Sequence, residues 1–290
     1  MLKLLLTQLL RISPLFFSAL ALVGCTPVMI VNGLINRGAF NLKSDVAYGP
    51  GERQRLDVYS PKGATRAPVL IFVHGGGWYR GGREDYPFLG DAFVEKGYVA
   101  VIISYRVAPQ AVFPAFVQDV ASSVRWVKDN IANLGGDPDR IYLMGQSSGA
   151  HIASLVALDP TYLREVGLER NAIRAFVGQA GPYDFRAFLE QDAPTQIAMG
   201  PRENWPQTQP INFVDGKQPP MLLQHGLKDE VVNIKNPDWL SSIIQQKGGE
   251  VEVEYYPEVD HPGIVGAISR VARFIDPKIF PDIIEFLGKH

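Results

Sequence analysis

The stretch Ile141-Tyr142-Leu143-Met144-Gly145-Gln146-Ser147-Ser148-Gly149 runs from apolar residues into a serine with a glycine two positions away on either side. Residues 141–144 predict a short buried strand, and the pattern beyond them predicts a helix from about Ser148 to Leu158. A serine on so tight a strand-to-helix turn stands with its hydroxyl exposed, and the glycines remove side chains that would collide there. The start of the helix adds backbone N–H donors and positive dipole where an oxyanion would form. Ser147 is therefore the candidate nucleophile.

Outward from this turn, strand and helix patterns alternate. Residues 68–73 (PVLIFV) and 98–104 (YVAVIIS) are short apolar runs that suit strands buried on both faces, with a helical segment from Glu84 to Lys96 between them. Gln54 to Ser60 alternates as a strand should, and Phe116, Val120, Val124, Val127, Ile131 and Leu134 keep helical spacing after Pro114. Gly135-Gly136 ends that helix. Ala172 to Gln179, Pro220 to Gln224 and Val251 to Tyr256 supply further strands, the last near a sheet edge because it alternates with glutamates. Helices over Pro262–Phe274 and Pro277–Lys289 close the chain. Such alternation predicts an α/β fold, a mostly parallel central sheet with helices on both faces and its chemistry at the carboxyl ends of the strands. Residues 28–48 read as a connector, residues 49–290 as one domain, and residues 183–219 as a cap insertion over the sheet.

Serine is a weak nucleophile until a base takes its proton, so a histidine oriented by a carboxylate is required. His74 precedes a glycine loop, His151 lies inside a helix, His225 ends a strand and His290 is terminal. His261, after the last strand, is the candidate base. Asp229, just past the strand ending at Gln224, lies between serine and histidine in the order that follows a nucleophile elbow. Glu230, Glu258 and Asp260 are rivals for that place. The consecutive glycines of His74-Gly75-Gly76-Gly77-Trp78 allow backbone N–H groups to turn toward a substrate, as the second half of an oxyanion hole requires.

Composition excludes several other classes. The 290 residues are 46% hydrophobic and 20% charged, enough apolar material for one large core, and the net charge of −2 carries no basic excess or run. Nucleic acid is not an expected partner. The one cysteine can form neither an internal disulfide nor a metal site by itself. Neither GxxxxGK[ST] nor the full GxGxxG pattern is present. No cofactor and no metal are expected.

Taken together, these residues resemble the α/β-hydrolase superfamily, and within it the hormone-sensitive lipase-like carboxylesterases. The resemblance spans about Arg55 to Phe286. It rests on HGGGW at 74–78, on Tyr105-Arg106-Val107-Ala108-Pro109 with Phe113-Pro114-Ala115 and Asp119, on residues 135–151 (GGDPDRIYLMGQSSGAH), and on the settings of Asp229 and His261. The middle segment is similar to isoprenylcysteine methylesterases and feruloyl-type esterases. The resemblance implies an α/β-hydrolase fold and hydrolysis of small-molecule esters. Ser147 would be the nucleophile, His261 the base, Asp229 its orienter, and the N–H groups of Gly76, Gly77 and Ser148 the oxyanion donors. The family often carries Ala after the serine, but Ser148 presents the same N–H. HGGxW also resembles kynurenine formamidase, which makes an arylformamidase one alternative. A non-catalytic binding module on the same fold is another. The charged and proline-rich stretch 183–219 predicts a small, semi-rigid, aromatic-lined acyl pocket suited to short acyl groups.

The amino-terminal residues carry a separate message. Lys3 and Arg11 precede the apolar run Ile12 to Val23, which is too short to span a bilayer and reads as a secretory signal. Leu22-Val23-Gly24-Cys25 resembles the lipobox of bacterial lipoproteins, in which the cysteine thiol becomes lipidated at the mature amino terminus. The resemblance implies removal of residues 1–24, a membrane partner held through lipid on Cys25, and a place in the bacterial cell envelope. Thr26, where retention in the inner membrane favours Asp, points to the outer membrane. Removal of Lys3 and Arg11 leaves 26 basic residues against 30 acidic, so lipid rather than charge would hold the chain to a membrane.

Overall fold

A computed structural model describes residues 31–290. Among the described residues the eight strands are β1 (Phe40–Ala47), β2 (Arg55–Pro61), β3 (Ala67–Val73), β4 (Val99–Ile103), β5 (Gly136–Gln146), β6 (Phe176–Gln179), β7 (Met221–Gly226) and β8 (Val251–Tyr256). They form one sheet in the order β1-β2-β4-β3-β5-β6-β7-β8. The β1–β2 and β2–β4 pairs are antiparallel, and every later pair is parallel. The glutamate-bearing strand 251–256 lies at the edge, as its alternation predicts.

Alternation along the strands divides the core in two. Val69, Ile71 and Val73 of β3 join the apolar layer beneath α2 (Ala115–Asn130) and α3 (Ser148–Leu158). Leu70 and Phe72 point to the other layer, shared with α1 (Pro87–Glu95) and α9 (Ile279–Lys289). Further helices are α4 (Pro160–Glu165), α5 (Arg186–Leu189), α6 (Ala193–Met199), α7 (Asn236–Gln246) and α8 (Gly263–Gly266). Burial on both faces explains the unbroken apolar runs of β3 and β4.

Four local readings need correction. The connector 28–48 contains β1, whose mostly exposed face lacks the apolar alternation by which strands are recognised. The helix read from Glu84 begins at Pro87, where a missing N–H costs nothing, after a single 3₁₀ turn. The strand read from Ala172 begins at Phe176, since 170–172 form a 3₁₀ turn. The helix read over 262–274 is only the four-residue α8, followed by tight turns in which the N–H of Ala272 reaches Ser269 O and that of Ile275 reaches Ala272 O. Buried Ile264, Val265 and Ile268 mimic helical spacing there without a continuous helix.

Candidate active site

Ser147 sits between β5 and α3 with φ 55° and ψ −127°, a left-handed conformation rare for a residue with a side chain. The flanking glycines are obligatory for steric reasons. A Cβ on Gly145 would lie 2.4 Å from Gly149 O, and one on Gly149 would lie 2.2 Å from Val73 O. Ser147 N donates to Gln179 O on the neighbouring strand at 2.8 Å, which holds the turn against the sheet.

Three side chains from separate strand ends meet at this turn. His261 Nδ1 lies 2.7 Å from Asp229 Oδ2, and His261 Nε2 lies 2.9 Å from Ser147 Oγ. A carboxylate can only accept, so Nδ1 carries the proton and Nε2 is left to accept from the hydroxyl. Asp229 Oδ1 accepts from the N–H groups of Val231 (2.8 Å) and Val232 (2.9 Å). Burial by itself would raise the pKa of Asp229, but hydrogen bonds from His225, His261 and the Val232 N–H hold it well below the usual carboxylate range. The rivals stand elsewhere: Glu258 pairs with Lys228 on the surface, and Asp260 accepts from Gly263 N. Glu230 lines the cleft without joining this chain.

The glycine loop packs directly against the serine turn, where a Cβ on Gly75 would come 3.1 Å from Ser147 Cβ. Gly76 and Gly77 have φ of 126° and 64°, and a Cβ on Gly76 would fall 2.1 Å from Arg80 O. Among the described residues, no hydrogen bond uses the backbone N–H of Gly76, Gly77 or Ser148, and all three residues line the cleft beside Ser147. His74 is wholly buried, its ring stacked at 4.3 Å on Tyr105, and the Tyr105 hydroxyl donates to His74 O. The Tyr105-Arg106 segment is fastened in turn: Asp119, buried on α2, accepts from the backbone and guanidinium of Arg106 and from Gln54.

Several supporting residues escaped the sequence reading. His225 Nε2 lies 3.2 Å from the same Asp229 oxygen that His261 uses. Its signal is the spacing of four residues to the acid across a strand-end turn. Gln146 Nε2 donates to His261 O at 3.4 Å and lies beside the ring. Trp78 Nε1 donates to His151 Nδ1 at 2.9 Å, and His151 Nε2 donates to Thr208 O at 2.7 Å. Trp78 also stacks on Phe185 at 5.4 Å. The histidine read as merely helical thus ties the glycine loop to the segment 183–219.

The cleft around Ser147 has a volume of about 1280 Å³, above the usual range of roughly 300–1,000 Å³ for a small-molecule site. It is larger than the small pocket expected from the insertion. Besides Phe185 and Phe188 from that insertion, Val31, Tyr86, Phe88 and Ile275 contribute walls, and these come from segments distant in sequence. The insertion itself is tied down: Asn236 Oδ1 accepts from the N–H groups of Tyr183 and Asp184, and Gln209 Oε1 accepts from Phe185 N. Among the described residues no cluster of His, Cys, Asp or Glu is arranged to hold a metal ion, and no helix is long and apolar enough to cross a membrane. Cys25 and the signal reading lie outside the described residues.

Comparison with known proteins places these features in a wider set. Residues 56–244 match the BD-FAE family. The chain is 34% identical to esterase LipQ of Mycobacterium tuberculosis, over 84% of this chain and 62% of that one. It is 27% identical to a probable isoprenylcysteine alpha-carbonyl methylesterase of Arabidopsis thaliana, over 92% of this chain and 63% of the other. The chain therefore spans about three fifths of the length of these curated relatives. Among solved structures, a phosphonate-inhibited esterase B from Lactobacillus rhamnosis superposes with a TM-score of 0.76, at 19% identity and 94% coverage of each chain. A truncated carbohydrate esterase from gut microbiota superposes with a TM-score of 0.75, at 24% identity, covering 88% of this chain and 98% of its own. At these identities the structural matches speak for the fold.

Proposed function

The chain belongs to the BD-FAE family, among the hormone-sensitive lipase-like carboxylesterases of the α/β-hydrolase superfamily, and from that premise we propose that it is a lipid-anchored serine carboxylesterase acting on small or short-acyl esters. The observation that carries this reading is the unbroken hydrogen-bonded chain from Ser147 Oγ through His261 to Asp229. Ser147 Oγ attacks the ester carbonyl as its proton passes to His261 Nε2, and Asp229 stabilises the imidazolium. The oxyanion rests on the N–H groups of Gly76, Gly77 and Ser148. Collapse expels the alcohol, which takes the proton from His261, and leaves an acyl-serine. Water, deprotonated by His261, then attacks the acyl carbon, and the second collapse releases the acid and returns the proton to Ser147.

The fastened insertion supports a fixed acyl wall rather than a swinging lid, and the remaining breadth of the cleft leaves room for a bulky alcohol. For p-nitrophenyl esters, kcat/KM should peak between acetate and hexanoate, and a profile still rising at dodecanoate would move the protein to the lipases. Ser147→Ala should abolish both hydrolysis and labelling by a fluorophosphonate probe while leaving the circular dichroism spectrum unchanged. Retained turnover in that variant would overturn the reading. Parallel assay of N-formylkynurenine separates an arylformamidase, and lack of probe reaction in the parent would favour a binding module.

The lipid-anchor part of the proposal rests on the lipobox-like residues 22–25 and on the placement of the only cysteine there. Acyl chains on Cys25 would hold the enzyme in the bacterial envelope, at the outer membrane given Thr26. Cys25→Ser should remove palmitate labelling, since a hydroxyl does not replace the thiol in that processing. Equal labelling of both forms would refute it.

A further inference from the structure

We propose that the rim of the cleft where the chain enters the fold lies against a lipid bilayer, so that the protein draws amphipathic esters from that bilayer into its site. This rests on the lipid-anchor and esterase readings above and adds an orientation to them.

The entry segment is fixed at the cleft. Val31 lines it, and Asn32 is bonded twice to the start of α1, its Oδ1 accepting from Phe88 N at 3.1 Å and its Nδ2 donating to Asp85 O at 3.1 Å. Ile35 packs on the core layer beneath. Cys25 lies six residues before Val31, a span of about 20 Å even when fully extended. A fold of this size is roughly 45 Å across. Lipid on Cys25 would therefore sit less than half a molecule's width from Val31 in the cleft wall.

The surface at that place has the matching chemistry. Leu34, Val271 and Phe274 are 64%, 43% and 84% exposed. Leu34 and Val271 line a shared groove of about 290 Å³ with Val31. Ala272 and Ile275, on either side of Phe274, line the cleft itself. Of the charges beside them, Arg270 pairs with Asp91 and Glu95, and Arg273 with Glu95, so these two carboxylates are opposed by guanidinium groups, while Asp276 accepts from the Lys278 N–H. An apolar rim beside a short lipid tether supplies the two membrane signals that stable attachment needs.

The test fixes the tether chemically. The mature chain from Cys25 is coupled through that thiol to a maleimide phospholipid in phosphatidylcholine–phosphatidylglycerol vesicles. Hydrolysis of a bilayer-resident ester, the butyrate of a long-chain alkyl umbelliferone, is then compared with that of soluble p-nitrophenyl butyrate. The triple variant Leu34→Glu, Val271→Glu, Phe274→Glu should keep the soluble rate and lose at least tenfold on the bilayer ester. Should the triple variant fold poorly, Phe274→Glu alone should show the same selective loss. A readout independent of catalysis comes from brominated lipid in the same vesicles. Relative to the parent with its four tryptophans, quenching should increase in Phe274→Trp but not in Lys62→Trp, near the amino ends of the parallel strands. Unchanged hydrolysis of the bilayer ester, equal quenching at the two positions, or an apolar contact that proves to join two copies of the chain would overturn the proposal. An unmodified Cys25 in protein recovered from cells would sink the lipid-anchor reading alone, and absence of soluble turnover the esterase reading alone, because the quenching comparison still decides the orientation.

Discussion

Two histidines converge on one oxygen of Asp229, while two backbone N–H groups occupy the other. Such a carboxylate keeps its charge into acid and fixes which nitrogen of His261 bears the proton. Asp229→Asn should therefore lose on the order of 10⁴ in kcat, because an amide can present its NH₂ to Nδ1 and favour the wrong tautomer. Asp260→Asn and Glu258→Gln should stay within a few-fold of the parent, since one carboxylate caps Gly263 N and the other pairs with Lys228 at the surface. Steady-state kinetics on p-nitrophenyl butyrate check all three, and a severe loss in either of the latter would reassign the acid. From sequence alone four carboxylates remained open. The choice between Asp229 and Glu230 depends on how the loop after β7 turns, which the Asp229 side chain fixes by accepting from the Val231 and Val232 N–H groups, whereas Glu258 and Asp260 follow β8 and are held by Lys228 and by Gly263 N.

At the scale of elements, the glycine loop owes its shape to neighbours rather than to its own residues. Gly76 and Gly77 reach left-handed backbone freely, but Trp78 also has φ of 68° and is held there by His151 on α3, which is bonded to Thr208 in the insertion. Three segments are thus joined at one imidazole. His151→Ala should unfasten the loop and lower kcat by at least tenfold, toward the loss of about 10²–10³ seen when an oxyanion donor is removed. KM should stay within about twofold, because His151 does not line the cleft. A rise in KM at constant kcat would instead assign His151 to substrate binding. HGGGW was legible as a motif. The role of His151 was not, because its partners lie 73 and 57 residues away.

The whole molecule carries a pH dependence of stability through its buried histidines. Burial pushes His74 and His151 down to about 4 from the usual 6.5, and the hydrogen bonds to Gly75 and Thr208 only partly oppose it. Between pH 6.5 and 4 the unfolded chain takes up protons that the folded chain refuses. Stability is therefore full above about 6.5 and falls as the pH drops toward 4, by on the order of a few kcal/mol in all. Asp229, depressed below its ordinary range, adds its own loss only at lower pH. Thermal melts between pH 4 and 7 should show the decline, and His151→Gln should flatten it. An unchanged slope in that variant would show that His151 is already charged in the fold.

The local grammar of the chain was enough to determine the α/β architecture, the strand-to-helix turn at Ser147 and the edge position of Val251–Tyr256, because each depends on periodicity and on close steric limits within a few residues. The extent of the cleft was decided only in three dimensions. Val31, Tyr86, Phe185, Asp229, His261 and Ile275 line one space although they are scattered along the chain. A parallel sheet brings strand carboxyl ends together whatever lies between them in sequence. The same holds for β1, whose place comes from pairing with β2 rather than from an apolar pattern of its own. Contacts across the sheet and between loops carry no local signature, since either partner is an ordinary residue until the fold sets the other beside it.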